Sequence, residues 1–426
     1  MRLWLTGLFA GVMMIAGACW GAAQTTISTP TGTILVPDST IEHAKDKGKR
    51  AHTNHLIFLK SGGKRGPSGP TGETPGSLSC VYQTNGVSLS TGCPTSTSAL
   101  PTGGIGVIAI VDAYDYPTAQ HDFDTFSTQF GLPLSTANVC NGSNPCFTKV
   151  YATGTKPSTN CGWAQEEALD IEWAHSMAPH AQIILVEAAS SSFSDLFQAV
   201  SVATQEIETC GGASCANGGI GEGEVSMSWG GGEFSTENQY DSYFSSSNNV
   251  VYFASTGDTG GKTSYPSTSP FVVAAGGTSV QRNRQGAFTG EVAWSGSGGG
   301  SSPYESRPSY QNVVVSTVGS QRGVPDFSFD ADPSTGVSVY DSTPCQGLVN
   351  WEIFGGTSVA SPSLSGIVNL ASHFYGGSAL ELGVIYSNLG TGNFRDIISG
   401  KAGSLSAGTG WDFVTGVGSD VGVAGK

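Results

Sequence analysis

The chain contains short apolar runs that are continuous rather than alternating in polarity. They are Val107–Val111, Ile183–Val186, Val250–Ala254 and Phe271–Ala275. Such runs are typical of strands that are covered on both faces of a parallel sheet. Trp163–Ala178 and Asp195–Glu208, which lie between them, have helical spacing. The alternation predicts an α/β fold, a doubly wound, mostly parallel sheet with helices on both faces, in which active sites gather at the carboxyl ends of strands.

The first 72 residues differ in character from the rest. Met1–Arg2, the apolar run Leu3–Ala16 and the small-residue stretch Gly17–Ala23 predict a secretory signal peptide over residues 1–23. A membrane anchor is the alternative, but the apolar run is short against the roughly 20 residues of a spanning helix. Residues 24–72 are polar, basic and rich in glycine and proline, so we expect a short leader or propeptide-like linker ahead of a main domain over 73–426.

Charge excludes several classes of partner. The 426 residues include 18 Lys and Arg against 33 Asp and Glu, a formal charge of −15. Eight of the basic residues lie in 1–65 with only three acids, so 66–426 hold ten basic and thirty acidic residues, a charge of −20. Nucleic acid and anionic membranes are therefore not expected as partners. With few ion pairs to lose, this body should tolerate acid.

Cysteine count indicates an exported, disulfide-bonded protein. Nine cysteines are present, and eight remain if Cys19 leaves with the signal peptide. An even number in an exported chain favours disulfides. Close spacing suggests the pairs Cys140–Cys146, Cys210–Cys215 and Cys80–Cys93, although eight cysteines allow many other pairings.

Ser358 is a candidate nucleophile. It lies in Phe354-Gly-Gly-Thr-Ser-Val-Ala-Ser-Pro362, just before the apolar helical stretch Leu364–Phe374. Two glycines allow a tight turn, and Pro362 suits the first turn of a helix. Ser358 would then lie at a helix start, near N–H donors and the positive end of the dipole. The alternative is a helix-capping serine.

Carboxylates are better placed than histidines to act as its base. Glu166 and Asp170 are four residues apart on a predicted helix, so they project from one side, and one of the two pKa values rises if they share a proton. There are two alternatives to this pair. The helix is an ordinary acidic one, or Glu167 rather than Glu166 is the partner of Asp170. His175 and His180 border a helix end, where capping or a surface position explains them equally well.

Two further acidic motifs suggest an oxyanion donor and a cation site. Asp258 follows an apolar strand in Ser255-Thr-Gly-Asp-Thr-Gly260, where a protonated carboxyl can donate to an oxyanion or simply form a turn. Asp396 and Asp412, with the glycine-rich carbonyls between them, suit a hard cation such as calcium.

Four separated motifs together resemble one family. They are E-x-x-L-D-x-E-W-A-H at 166–175, S-W-G at 228–230, S-T-G-D-T-G at 255–260 and G-T-S-x-x-x-P at 356–362. Their identity and order resemble the sedolisin family, secreted serine-carboxyl peptidases with a subtilisin-like fold. The resemblance covers roughly 73–426. Members usually carry a large folded prodomain, whereas about 50 residues separate the signal and the mature-like start here.

The resemblance implies a role for individual residues. It implies Ser358 as nucleophile, Glu166 as base, Asp170 as the carboxylate orienting Glu166, and Asp258 in the oxyanion hole. It also implies one calcium ion held by Asp396, Asp412 and the carbonyls of Ile397, Gly408 and Gly410. Asp112, where several relatives have Glu, and Trp229 match positions that support the catalytic network.

We therefore expect a secreted, monomeric, acid-acting peptidase that cleaves proteins or peptides. In acid a histidine base would be protonated, whereas a carboxyl group titrates nearby. One alternative is a Ser-His-Asp enzyme of the subtilisin type that uses Asp112. Another is a catalytically silent, calcium-stabilised binding protein on the same fold. A β-sandwich adhesin does not fit the alternation of strands and helices.

Overall fold

The computed structural model of the protein describes residues 24–61, 67–140, 145–209, 221–246 and 248–426. The predicted signal peptide, 1–23, and the suggested Cys210–Cys215 pair lie outside these ranges. Within them, no helix has both the length and the apolar character needed to cross a membrane.

The described chain alternates strands and helices over most of its length. The strands are β1 Thr25–Ser28, β2 Gly32–Val36, β3 His52–Thr53, β4 Leu56–Lys60, β5 Val107–Ala113, β6 Phe147–Tyr151, β7 Gln182–Ala188, β8 Gly223–Met227, β9 Trp229–Gly232, β10 Val250–Ser255, β11 Ser264–Tyr265, β12 Val273–Arg282, β13 Phe288–Ala293, β14 Gly300–Ser306, β15 Gln321–Val324, β16 Phe327–Asp330, β17 Val337–Cys345, β18 Leu348–Gly355, β19 Phe394–Arg395, β20 Lys401–Ala402, β21 Leu405–Ser406 and β22 Ser419–Asp420. The α-helices are α1 Pro75–Val81, α2 Ala119–Phe130, α3 Cys161–Met177, α4 Phe193–Glu208, α5 Val315–Val318, α6 Thr357–Ala371 and α7 Ser378–Ser387.

A ten-stranded sheet forms the centre of the molecule. Its order is β19-β22-β16-β12-β10-β8-β5-β7-β6, with β13 paired to β12. Every pair from β22 to β6 is parallel, whereas β19 and β13 pair antiparallel with their neighbours. The predicted doubly wound, mostly parallel sheet is confirmed.

The apolar strands are covered on both faces, as their continuous sequence predicted. In β5, Ile108 and Ile110 belong to a core with α3 and α6, whereas Val107, Ala109 and Val111 face a second core with α4. Successive side chains of a strand point to opposite faces, so each strand serves both cores. Parallel strands that pass between two helical layers place their carboxyl ends at one edge.

Helix α6 begins earlier than the sequence suggested. It starts at Thr357 after Gly356, so Pro362 is the sixth residue of the helix rather than part of its first turn. A proline there cannot donate to the carbonyl of Ser358, four residues before it. The Ser228 hydroxyl donates to that carbonyl instead (3.3 Å).

The basic N-terminal segment is built into the body of the protein. Strands β2 and β4 join β18 and β17 in a five-stranded sheet, and β3 pairs with β9. The described part of residues 24–72, for which the polar sequence predicts a leader or linker, therefore packs into the main body through these strands. Leu35, Ile57 and Phe58 supply the apolar contacts and are buried.

Three disulfides are present in the described residues. Cys80–Cys93 and Cys140–Cys146 confirm the pairs suggested by spacing. The third, Cys161–Cys345, joins residues 184 apart in sequence and ties the start of α3 to the end of β17.

Candidate active site

The predicted site residues meet at the carboxyl edge of the central sheet. Ser228 follows β8, Asp258 follows β10, and Ser358 lies in the first turn of α6. Glu166 and Asp170 come from α3, which packs against α6. Asn160 caps α3 by accepting from the backbone N–H groups of residues 162 and 163.

Glu166, Asp170 and Ser358 form a buried group. All three side chains are fully buried. The Ser358 hydroxyl lies close enough to Glu166 to lower the pKa of that carboxyl, yet burial dominates and holds the pKa well above its usual range. Burial, followed by the charge of Glu166, also raises the pKa of Asp170 well above its usual range. The Ser228 hydroxyl, which donates to Oδ1 of Asp170 (2.8 Å), opposes this shift.

Asp112 and Trp229 adjoin this pair. Asp112, near the end of β5, is fully buried, and its oxygens have no hydrogen-bond partner among the described residues. Burial, followed by the charges of Asp170, Glu166 and Glu187, raises its pKa well above the usual range. Trp229 donates through Nε1 to the carbonyl of Val111 (2.7 Å). Trp229 thereby fixes the strand end that carries Asp112.

Asp258 contacts Thr357, the residue before Ser358. Its Oδ1 accepts from the Thr357 backbone N–H (2.8 Å) and hydroxyl (2.9 Å). Burial raises the pKa of Asp258 to about 8, against opposing hydrogen bonds from Thr357. The acid is therefore protonated throughout the acidic range. A protonated carboxyl can donate a hydrogen bond, which an ionised one cannot.

Gly356 makes room for this arrangement. Its φ is +97°, a conformation that side chains disfavour. A Cβ built there would lie 2.2 Å from the carbonyl oxygen of Asn54 and 2.4 Å from Oδ2 of Asp258. These two oxygens thus approach the same point beside Gly356.

Asn54 and His55, from the segment expected to be a leader, lie in the centre of the site. The backbone N–H of Asn54 donates to Oε2 of Glu166 (3.1 Å), and its carbonyl accepts from the N–H of Ser358 (3.0 Å). His55 Nδ1 lies 2.8 Å from the same Glu166 oxygen. Sequence reasoning missed both residues. The available signal was that a largely polar stretch, Ala51–His55, directly precedes the apolar stretch Leu56–Leu59.

His55 does not complete a serine–histidine pair. Its ring stacks on Phe354, and no hydrogen bond joins its Nε2 to Ser358 in the described structure. The Ser358 hydroxyl donates instead to the carbonyl of Ser228 (3.2 Å). Burial lowers the pKa of His55 to about 3. The ring is therefore neutral through most of the acidic range.

The other histidines considered lie away from the centre. His175 is nine residues after Glu166 on α3, about 13 Å along a helix that rises 1.5 Å per residue. Its Nε2 lies 2.9 Å from the carbonyl of Pro133. The N–H of His180 donates to the carbonyl of Gly103, beside the start of β7.

The residues predicted for calcium share one C-terminal loop. The N–H of Gly410 donates to Oδ2 of Asp396, and the N–H of Gly408 to Oδ2 of Asp412, both at 2.9 Å. The described residues contain no group of three or more His, Cys, Asp or Glu side chains that could hold a metal ion. Two carboxylates meeting at a glycine loop, with the carbonyl of buried Ile397 next to one of them, are nevertheless the all-oxygen chemistry that calcium takes.

The fold and the site define a class. A doubly wound sheet with a serine at a helix start, beside a buried carboxyl pair, is the arrangement of a subtilisin-like fold equipped with acidic side chains. Pseudomonas sedolisin, a serine-carboxyl proteinase solved in complex with two molecules of pseudo-iodotyrostatin, superposes with a TM-score of 0.64 at 24% identity. The match covers 83% of this chain and 96% of that one, and shows the shared fold.

Sequence similarity supports the sedolisin family, which the motifs resemble. It is 37% identical over 173 residues to sedolisin of Pseudomonas sp. (strain 101), and 33% identical over 179 residues to kumamolisin of Bacillus sp. (strain MN-32). Each match covers 37% of this chain, and 28% and 31% of those proteins. The chain thus spans less than a third of the length of these curated relatives. No protein-family model matches the chain.

Proposed function

We propose that this protein hydrolyses peptide bonds as a serine-carboxyl peptidase, with Ser358 as the nucleophile. The observation that carries the proposal is the buried carboxyl pair beside the Ser358 hydroxyl at the start of α6. A hydroxyl is a weak nucleophile until a neighbouring base takes its proton. Of the two acids, Glu166 is the one whose pKa the Ser358 hydroxyl lowers in the described structure.

In the proposed reaction Glu166 and Asp170 have different roles. Glu166 takes the proton of Ser358 as its oxygen bonds to the substrate carbonyl carbon, and returns it to the leaving amine. Asp170, joined to the Ser228 hydroxyl, holds a charge or a proton next to Glu166 and so sets its basicity. Water then hydrolyses the acyl-enzyme by the reverse route. Asp112 and Trp229 support this network from β5 and β9.

The oxyanion would form between Asp258 and the start of α6. The N–H of Ser358 already binds a carbonyl oxygen, that of Asn54. Asp258 Oδ2, which approaches the same point, can add a second hydrogen bond while it carries a proton. Donors preorganised at a developing oxyanion stabilise the transition state strongly.

Calcium is proposed as a structural ion in the C-terminal loop. Asp396 and Asp412 would hold it with the carbonyls of Ile397, Gly408 and Gly410, because both carboxylates already meet this loop. The ion would supply a positive charge that joins the two ends of the loop and takes no part in the chemistry.

We further propose that the protein is secreted, acts in acid on proteins or peptides, and works as a monomer. The disulfides are typical of an oxidising, exported environment. The site draws every proposed catalytic group from a single chain.

Ser358→Ala tests the proposal directly. Digestion of unfolded casein at about pH 4 should be lost, because no other hydroxyl replaces the attacking oxygen. Ser363→Ala is the matched control, since Ser363 is buried on the same helix and its hydroxyl has no hydrogen-bond partner in the described structure. Equal digestion by wild type and Ser358→Ala would contradict the proposal. A wild-type chain that digests nothing would favour a catalytically silent binding protein.

A further inference from the structure

A cleft lies outside the proposed active site, between α2 and the hairpin formed by β17 and β18. Its volume is about 720 Å³, within the roughly 300–1,000 Å³ of pockets that take small molecules. His121, Asp124 and Gln129 of α2 line it, as do Tyr340 and Trp351 of the hairpin. The lining residues within the described ranges include none of the proposed catalytic groups. The cleft is therefore a candidate for a separate binding site.

Two aromatic side chains form the wall of the cleft on the hairpin side. Tyr340 of β17 lies opposite Trp351 of β18 in the antiparallel pair, with ring centroids 5.2 Å apart. The Trp351 ring also packs against Phe126 and Phe130 of α2, at 6.0 and 5.7 Å between centroids. The aromatic wall is thus fixed before any ligand binds, which lowers the ordering cost of binding.

Trp351 carries a donor that the protein leaves unused. Only 5% of this residue is exposed, yet its indole N–H has no hydrogen-bond partner in the part of the chain that the structure describes. A buried indole N–H usually binds an acceptor. Because Trp351 lines the cleft, an oxygen atom of a ligand there can be that acceptor.

Two amides and one carboxylate add hydrogen-bonding groups to the cleft. Asn350 uses its Oδ1 to accept from the Tyr340 hydroxyl (3.3 Å), so its amide nitrogen remains a donor. The amide of Gln129 is exposed at the rim. Asp124 accepts from the N–H (2.7 Å) and the hydroxyl (2.8 Å) of Ser135, and each of its oxygens keeps a further lone pair. The cleft thus offers both donors and acceptors.

The charges around the cleft disfavour an anionic ligand. Its described lining contains no Lys or Arg, the side chains that normally bind phosphate or carboxylate. His121 is the basic residue there, and its Nδ1 already lies 2.8 Å from Oδ1 of Asp122. A purely apolar ligand is disfavoured too, because it would leave the Trp351 N–H and the Asn350 amide without partners.

A peptide would find the neighbouring strand edge occupied. β17 lies at the edge of the five-stranded sheet, where extended peptides usually bind through main-chain hydrogen bonds. The backbone N–H groups of Tyr340 and Ser342 in this strand already donate to the side chains of Glu172 (3.0 Å) and Asp122 (2.9 Å). The cleft therefore favours a ligand that is recognised by side chains alone.

A neutral sugar chain fits each of these features. Its hydroxyl groups both donate and accept, as the mixed lining requires. The C–H groups on the face of a sugar ring carry a small positive charge and contact the negative face of an aromatic ring. The half-buried Tyr340 offers such a face, while the packed Trp351 offers its N–H.

We propose that this cleft binds a neutral sugar chain, with the Tyr340 ring as the stacking surface and with Trp351 Nε1 and the Asn350 amide as donors to its oxygens. The binding does not depend on Ser358, and it adds a second function to the proposed peptidase. A polysaccharide and a glycan attached to a protein substrate share this chemistry, and digestion of a glycoprotein separates these two sources.

Two substitutions each remove one donor and preserve the backbone around it. Trp351→Phe deletes the indole N–H and keeps an aromatic ring in the packed wall. Its matched control is Trp294→Phe, because Trp294 is 6% exposed and lies in a different apolar cluster. Asn350→Gly deletes the amide at a φ of +70°, which glycine adopts without strain. Asn249→Gly, at a φ of +58° outside the cleft, is the control for this variant.

Binding is measured by isothermal titration calorimetry on the purified full chain at about pH 4, with hexasaccharides of cellulose, laminarin, mannan and chitin as probes. Wild type and Ser358→Ala should bind at least one of these probes with the same Kd. Loss of one hydrogen bond should raise that Kd about three- to tenfold in Trp351→Phe and in Asn350→Gly. The two control variants should keep the wild-type Kd. Thermal unfolding shows whether each variant folds.

The outcomes keep this inference apart from the proposed function. If the folded wild type binds none of the probes, the inference is overturned, whether or not the chain digests casein. An unchanged Kd in both cleft variants overturns the assignment of the cleft. A Kd that rises in the two cleft variants alone supports it. If the wild type binds sugar in this way and digests no casein, the proposed function fails and the inference stands.

Digestion of a mannosylated protein and of its deglycosylated form identifies the source of the sugar. Faster digestion of the mannosylated form by wild type, with the difference lost in Trp351→Phe, would assign the cleft to glycans on substrates. Equal digestion of the two forms by a wild type that binds the free hexasaccharides would assign it to polysaccharide.

Discussion

Glu166 has an unusual set of neighbours for an acidic side chain. It is fully buried and receives the N–H of Asn54 while Asp170 lies one helical turn away. Burial keeps its pKa well above the usual range as long as Asn54 and His55 cover it. Removal of that cover would admit water and lower the pKa toward that of an ordinary carboxyl, which makes Glu166 a usable base in acid.

Glu166→Gln tests this assignment against Glu167, its neighbour in sequence. Glutamine keeps the shape but cannot accept a proton, so the turnover number should fall by about 10²–10⁴-fold, the usual contribution of a general base. Glu167→Gln is the control, since the pKa of Glu167 responds first to its burial and then to Glu187 and Asp112. Turnover is measured on a peptide at about pH 4. A larger loss of turnover in Glu167→Gln than in Glu166→Gln would assign the role of general base to Glu167 instead.

At this scale the sequence predicts some contacts and misses others. The four-residue interval predicts that Glu166 and Asp170 share a side of α3, and the structure places them together beside Ser358. The contact of Asn54 and His55 with Glu166 spans more than 110 residues. No local periodicity reports a contact of that range, because it depends on how β3 docks on β9.

Helix α6 and the segment before it carry the site as one element. The turn at Gly356 directs the first N–H groups of the helix toward Asp258 and the Asn54 carbonyl. The sequence predicts the helix because apolar residues recur over Leu364–Phe374 after two glycines. It places Pro362 wrongly, because the tertiary donor Ser228 satisfies the carbonyl that a proline leaves free.

The C-terminal loop is the element that calcium would stabilise. A chelator should lower the melting temperature, because an ion that binds only the folded state adds to its stability. Asp396→Asn should reduce that chelator-dependent shift, with Asp332→Asn in the turn after β16 as the control. The measurement is thermal unfolding by circular dichroism with and without chelator. Superimposable curves for wild type would contradict a calcium site.

Among the disulfides, too, the sequence predicts the short-range pairs but not the long-range one. The pairs within 6 and 13 residues follow from spacing, whereas Cys161–Cys345 spans 184 residues. It links α3 to β17, so it depends on the packing of the five-stranded sheet against that helix. Only the fold brings these two cysteines together.

The part of the chain that the structure describes buries many acids that form no ion pair. Burial raises the pKa of Asp258 and Asp341 to about 8, and that of Glu381 to about 8 against the opposing charge of Lys426. Each of these groups is neutral in the folded protein in acid, where a buried charge would be costly. The low content of Lys and Arg predicted tolerance of acid from missing ion pairs, and these protonated acids add a second physical reason.

Stability should therefore fall as the pH rises. Below about pH 4 the acids are protonated in both the folded and unfolded states, and the stabilising effect is fully present. Above that pH the unfolded chain ionises first, so stability is lost as the pH approaches 8, the folded pKa of Asp258. Melting temperatures between pH 3 and 8 check this. A melting temperature that rises steadily toward pH 8 would contradict it.

The central claim is that acidic side chains, rather than imidazole, move the proton of Ser358. The most direct measurement is kcat/KM from pH 2 to 9 on a peptide without titratable groups. Our account predicts maximal activity in acid and a loss through about pH 8, as Asp258 ionises and ceases to donate. An increase toward pH 8, with a midpoint near the usual histidine pKa of about 6.5, would contradict it.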